Sequence, residues 1–145
     1  MKIEKIDHVA ILVKDTKEAA KFFTDLFETE FTSLGVVKEM DVRSVIEPSG
    51  IELVEPLTPQ GPTSKTLESR GEGLLLLSLK VENLDKAMAE MERRKIKVIR
   101  QVRQGKMKAA LYHPKDLFGV MIELIELKSE HPIVTANRME KDIKE

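Results

Sequence analysis

Two stretches constrain this chain more than any others. Pro48-Ser49-Gly50-Ile51-Glu52-Leu53-Val54 and His113-Pro114-Lys115-Asp116-Leu117-Phe118-Gly119-Val120-Met121-Ile122-Glu123-Leu124 each run from a turn, through a glycine, into Ile-Glu-Leu. Turn residues feeding an apolar, β-branched run read as a buried strand. Each run carries a carboxylate in its middle, and a charge is seldom buried unless it is paired, protonated or metal-bound. The same feature closing both halves of the sequence predicts a duplicated module.

The rest of the chain fits that duplication. Lys5 to Val13 reads as a strand, Asp15 as a helix cap, and Ala19, Ala20, Phe23, Leu26 and Phe27 recur at helical spacing up to about Glu28. Phe31 to Val37, Asp41 to Ile46 and Ile51 to Val54 read as three further strands. In the second half the order is the same. Leu74 to Val81 is a strand, and Asn83 caps a helix with Leu84, Ala87, Met88 and Met91 on one face. Lys97 to Val102, Met107 to Tyr112 and Val120 to Leu127 follow as strands. His8 to Val13 aligns with Leu76 to Val81, Asp15 with Asn83, Ala19 with Ala87, and Glu52 with Glu123. The expected fold is α+β, two tandem βαβββ modules forming a paired, curved mixed β-sheet. The expected boundaries are 1–57, a polar connector at 58–70 with a short helix near Ser64 to Ser69, 71–127, and a charged tail at 128–145.

Composition removes several classes of function. There is no cysteine, so disulfides, zinc-thiolate sites and thiol catalysis are excluded. A net charge of −1, with Lys and Arg scattered along the chain, gives no footprint for nucleic acid. No run is long and apolar enough to span a bilayer, and the first residues lack a secretory apolar region. A cytoplasmic protein that handles a small molecule is the expectation.

Four segments carry a family resemblance: Asp7-His8-Val9-Ala10-Ile11, Ile51-Glu52-Leu53-Val54-Glu55-Pro56-Leu57, Arg70-Gly71-Glu72-Gly73-Leu74, and His113-Pro114-Lys115-Asp116 with Gly119-Val120-Met121-Ile122-Glu123-Leu124. Together and in this order they resemble the vicinal oxygen chelate superfamily, the glyoxalase, bleomycin-resistance and dioxygenase group, and within it the methylmalonyl-CoA epimerases. The resemblance implies two modules paired around a divalent metal (Mg, Mn or Co), a small-molecule substrate such as an acyl-CoA, and a homodimer. It implies His8, Glu52 and Glu123 as metal ligands. The fourth ligand of the family falls at Leu76, within Gly73-Leu74-Leu75-Leu76-Leu77, so the metal site is degenerate. By position Glu39 resembles a family acid–base residue, with Glu123 as its counterpart. The loop Arg103 to Lys108 is shorter and poorer in glycine than its family equivalent, which points to a different substrate.

Taken by their chemistry, these residues leave alternatives open. His8 is either a ligand or a satisfied strand histidine. Glu52 and Glu123 either share a cleft or turn outward with the strand pleat. One imidazole and two carboxylates suit magnesium or manganese better than softer ions. Without a metal, adjacent carboxylates push one pKa up, an arrangement that serves acid–base work. Glu39 fits an ordinary turn equally well. The consecutive leucines Leu74 to Leu77 predict a strand covered on both faces. An epimerase-like isomerase is the leading expectation. The rivals are a non-catalytic, metal-free binding or regulatory relative and, more weakly, a metal-dependent lyase or dioxygenase.

Overall fold

The fold was established from a computed structural model, which describes residues 1–104 and 107–127. The expected tail and two residues of the Arg103 to Lys108 loop, Gly105 and Lys106, lie outside the described residues. The order of elements is β1 (Ile3–Leu12), α1 (Thr16–Phe27), β2 (Thr32–Val37), β3 (Val42–Ile46), β4 (Ile51–Pro56), α2 (Pro62–Arg70), β5 (Gly73–Val81), α3 (Leu84–Arg93), β6 (Val98–Gln104), β7 (Met107–Tyr112) and β8 (Ile122–Glu126). The strand–helix–three-strand order occurs twice, as the repeat requires.

The described residues form two compact units. One comprises 10–75; the other comprises 1–9 together with 76 onward. They are called here the N-terminal and C-terminal units.

In the N-terminal unit β2, β3 and β4 form an antiparallel meander, with Val42 opposite Val37 on one side and Pro56 on the other. The end of β1 joins it through the Val13 N–H, which donates to the Val54 carbonyl at 2.9 Å. Ala10, Leu12, Val42, Ile46, Leu53 and Val54 are among its buried apolar residues. Asp15 begins α1 by accepting from the Lys17 and Glu18 N–H groups, and Glu28 ends it in the left-handed region. Leu26 and Phe27, read from their spacing as part of the apolar face, are more than half exposed, and so is Phe22. The spacing gave the helix correctly, but only Ala19, Ala20 and Phe23 of that set are partly covered.

In the C-terminal unit β5 runs parallel to β8, which is antiparallel to β7, itself antiparallel to β6. Alternation along β5 and β8 separates two faces. Leu77, Leu79, Val81, Ile122 and Leu124 pack with Leu84, Ala87 and Met91 of α3 and with Ala110 and Tyr112 of β7. Leu76, Ser78, Glu123 and Ile125 therefore lie on the opposite face, and all four are buried. A strand buried on both faces is what the leucine run predicted, with one correction. Leu74, at the start of β5, is 69% exposed.

One carboxylate in each module ties its last strand to its helix. Glu55 of β4 accepts from the Thr16 N–H at 2.7 Å and from the Thr16 hydroxyl at 3.0 Å. Glu126 of β8 accepts from the Leu84 N–H at 2.8 Å. The first N–H groups of a helix have no partner within it, so a carboxylate there satisfies a donor and complements the helix dipole.

Candidate functional site

Glu123 belongs to the C-terminal unit and is 7% exposed. The parallel register of β5 and β8 sets Ser78 directly across from it, and the Ser78 hydroxyl donates to Glu123 Oε1 at 2.7 Å. His8 of β1, 8% exposed, brings Nε2 to 3.6 Å from the same oxygen. Its other ring nitrogen, Nδ1, lies 2.8 Å from Asp7 Oδ2. An ionised carboxylate only accepts, so Nδ1 carries the proton toward Asp7 and Nε2 is the atom turned to Glu123. The result is a line of polar groups, Asp7, His8, Glu123 and Ser78, largely removed from solvent.

At 3.6 Å the Nε2–Oε1 approach is longer than a hydrogen bond. The spacing suits an imidazolium facing a carboxylate, or two neighbouring ligands of one cation. Among the described residues, no three of His, Cys, Asp and Glu come together as a group able to hold a metal ion. His8 Nε2 and Glu123 Oε1 are two adjacent donors of the set that the resemblance implies, and the same Glu123 oxygen accepts from Ser78.

The other residues read from the sequence are placed as follows. Leu76 is buried, two positions before Ser78 and on the same face. Glu52, half-buried on β4, and Glu39, exposed on a 3-10 turn at Lys38–Met40, belong to the N-terminal unit. The sequence reading assigned no role to Asp7, Ser78, Glu47, Glu55 or Glu126. Ser78 had a visible signal, being the one polar residue in Leu74-Leu75-Leu76-Leu77-Ser78-Leu79. Glu55 and Glu126 had another, since each follows its Ile-Glu-Leu glutamate by three positions.

Glu47 is a second buried carboxylate, 4% exposed, at the end of β3. It accepts from the Ser49 hydroxyl, from the Ser49 and Ile51 N–H groups at 3.0 and 2.8 Å, and from the Thr29 hydroxyl at 3.2 Å. Burial pushes its carboxyl up, but these donors outweigh burial and hold it below the usual carboxylate range. Its work is local: it closes the Pro48-Ser49-Gly50 turn that sends the chain into β4.

A family model, the Glyoxalase/Bleomycin resistance protein/Dioxygenase superfamily, matches residues 5–124. The chain belongs to this superfamily. A mitochondrial methylmalonyl-CoA epimerase of Mus musculus is 28% identical over 132 residues, covering 85% of this chain and 73% of the relative. An uncharacterized protein of Bacillus subtilis (strain 168), YqjC, is 29% identical over 135 residues, covering 88% of this chain and 96% of the relative. Among solved structures, a variant of Streptomyces coelicolor methylmalonyl-CoA epimerase in complex with 2-nitronate-propionyl-CoA superposes with a TM-score of 0.80. That match has 23% identity and covers 88% of this chain and all of the other, a likeness of fold. The buried His8–Glu123 pair lies on two of the four segments that carry the resemblance.

Proposed function

We propose that this protein is a methylmalonyl-CoA-epimerase-like isomerase that removes and returns a proton at the carbon next to a thioester or carboxylate carbonyl. One observation carries the reading: Glu123 is a buried carboxylate whose Oε1 faces His8 Nε2 at 3.6 Å and is held by Ser78 at 2.7 Å. A carboxylate removed from water and kept in place by fixed donors is suited to take a proton from a weakly acidic carbon. In this scheme Glu123 accepts the α-proton, and the electron pair of the C–H bond moves into the carbonyl as the enolate forms. Return of a proton to the opposite face inverts the carbon. Asp7 fixes the ring of His8, and His8 supplies positive or hydrogen-bonding character beside the carboxylate as its charge changes. Support for the acyl-CoA substrate class comes from the epimerase relatives.

Glu39 as the second acid–base group, Glu52 as a third metal ligand and the dimer enter this reading through the resemblance, and the cytoplasmic location through the composition of the sequence. The divalent ion belongs to it as a degenerate site, with His8 and Glu123 as the retained donors and Leu76 where the family places a histidine. When bound, such an ion would supply Lewis-acid stabilisation of the enolate; the proton transfers above belong to the side chains.

The test is deuterium incorporation at the α-carbon of methylmalonyl-CoA in heavy water, followed by proton NMR, for the wild type and Glu123→Gln. Exchange by the wild type that falls about a hundredfold or more in the variant is expected. Equal exchange by both proteins would remove Glu123 from the chemistry. Calorimetric titration of metal-stripped protein with manganese, cobalt and magnesium, repeated on Glu123→Ala, tests the metal separately.

A second reading, a metal-free, non-catalytic ligand-binding member of the superfamily, draws on the buried Leu76 at the position where the resemblance places a ligand histidine. It predicts ligand binding without exchange.

A further inference from the structure

Ser78 is fully buried in a strand whose neighbours are Leu76, Leu77, Leu79 and, across the sheet, Leu124 and Ile125. A hydroxyl in such a place costs free energy unless it is hydrogen-bonded. An alanine would fill nearly the same space without that requirement. The β5–β8 register answers the question of why serine stands here: it places Ser78 opposite Glu123, the one carboxylate on that face of the two strands. The bond at 2.7 Å has the length of a hydroxyl donating to a charged oxygen.

The oxygen it chooses matters more than the bond. Ser78 and His8 both address Oε1 of Glu123, Ser78 at 2.7 Å and His8 at 3.6 Å. A glutamate side chain has three torsions, and ordering it costs entropy of the same size as a single contact returns. A cation shared with further ligands would hold it. Here Leu76, two residues back on the same face, offers no donor, and the hydroxyl one pleat further along the strand takes hold of the carboxylate.

We infer that Ser78 is a positioning residue, a hydroxyl clamp that keeps Glu123 turned toward His8. The inference rests on the acid–base role proposed for Glu123 and adds to it a residue that acts without touching substrate. It also gives this chain a different division of labour along β5: apolar closure at Leu76 and carboxylate control at Ser78.

The experiment joins crystallography of Ser78→Ala and Ser78→Thr with kinetics of α-proton exchange on methylmalonyl-CoA. In Ser78→Ala the Glu123 carboxylate is expected to rotate away from His8, with kcat falling about tenfold to a hundredfold and KM staying within about twofold. Ser78→Thr, which keeps the hydroxyl, is expected to restore the Glu123 rotamer and most of kcat. A Glu123 side chain unmoved in the alanine variant would overturn the clamp. So would a threonine variant in which the hydroxyl again bonds Glu123 while kcat stays at the alanine level. Absence of exchange by the wild type would defeat the acyl-CoA reading, while the position of Glu123 in the alanine variant would still decide the clamp.

Discussion

Glu55 Oε2 receives both the backbone N–H and the hydroxyl of Thr16, at 2.7 and 3.0 Å, and so binds the last strand of the first module to the start of its helix. Arg43 adds an ion pair to the other oxygen at 2.9 Å. Glu126 repeats the arrangement on the Leu84 N–H. Loss of either carboxylate leaves a helix N–H without its acceptor. Glu55→Ala and Glu126→Ala are each expected to lower stability by about 1.5–3 kcal/mol. Chemical denaturation of the two variants checks this, and a change within about 0.5 kcal/mol, the usual range for a surface substitution, would show that water replaces the acceptor.

The duplicated cap gives a milder expectation. Asn83 Oδ1 accepts from the Lys86 N–H at 2.8 Å, as Asp15 does from Lys17 and Glu18. Asn83→Ala should cost about 1 kcal/mol and Asn83→Asp little, since either side chain supplies the acceptor. Thermal melts of the pair decide whether the cap or some other contact of Asn83 matters.

Glu47 makes stability depend on acidity. Its carboxyl is buried, yet donors from Ser49, Ile51 and Thr29 hold it below the usual carboxylate range. A depressed folded pKa means that the unfolded chain takes up the proton first as pH falls. The stabilisation is therefore present above the unfolded pKa and disappears as pH drops through the folded one. Glu47→Gln should flatten that acid limb and be less stable than the wild type at neutral pH. Denaturation midpoints measured from neutral pH down to about 3, below the reference carboxylate value, give the comparison.

Tyr112 carries a stability cost in the core. Its side chain is 1% exposed, and its hydroxyl has no hydrogen-bond partner among the described residues. Burial also pushes the phenol above its ordinary pKa, so the group stays neutral. Tyr112→Phe removes an unsatisfied polar atom while keeping the ring, and a gain of about 1 kcal/mol is expected. A loss of stability in urea denaturation would show that the hydroxyl has an acceptor.

Phe118 is the opposite case, an aromatic side chain wholly in solvent on a backbone with φ of 57°. The left-handed region costs a non-glycine residue about 1–2 kcal/mol, and asparagine tolerates it best. The turn is closed by the Gly119 N–H donating to the Pro114 carbonyl at 2.9 Å, so the strain is held in place. Phe118→Asn is expected to raise the melting temperature, with about 1 kcal/mol of stabilisation. An unchanged or lower melting temperature would mean that the phenylalanine makes contacts that offset its backbone.

The sequence by itself determined the order of the elements. Asp15 and Asn83 mark helix starts by chemistry that needs no tertiary partner, and the two Ile-Glu-Leu strands announce themselves through period and turn residues. His8 and Glu123 were legible for a similar reason, a histidine and a carboxylate set in apolar strands. What only the tertiary structure decided is which side chains meet. Ser78 lies 45 positions before Glu123 in the chain, and a parallel register, fixed by strand pairing, is what makes them neighbours. Leu74 and Leu76 have the same side chain and opposite exposures, a difference that the run of leucines does not contain. Glu55 and Glu126 take their role from the helix ends that rest against them, Thr16 and Leu84. Local patterns fix backbone states because those depend on near neighbours in sequence; the partner of a buried charge depends on packing between distant segments, which no local pattern contains.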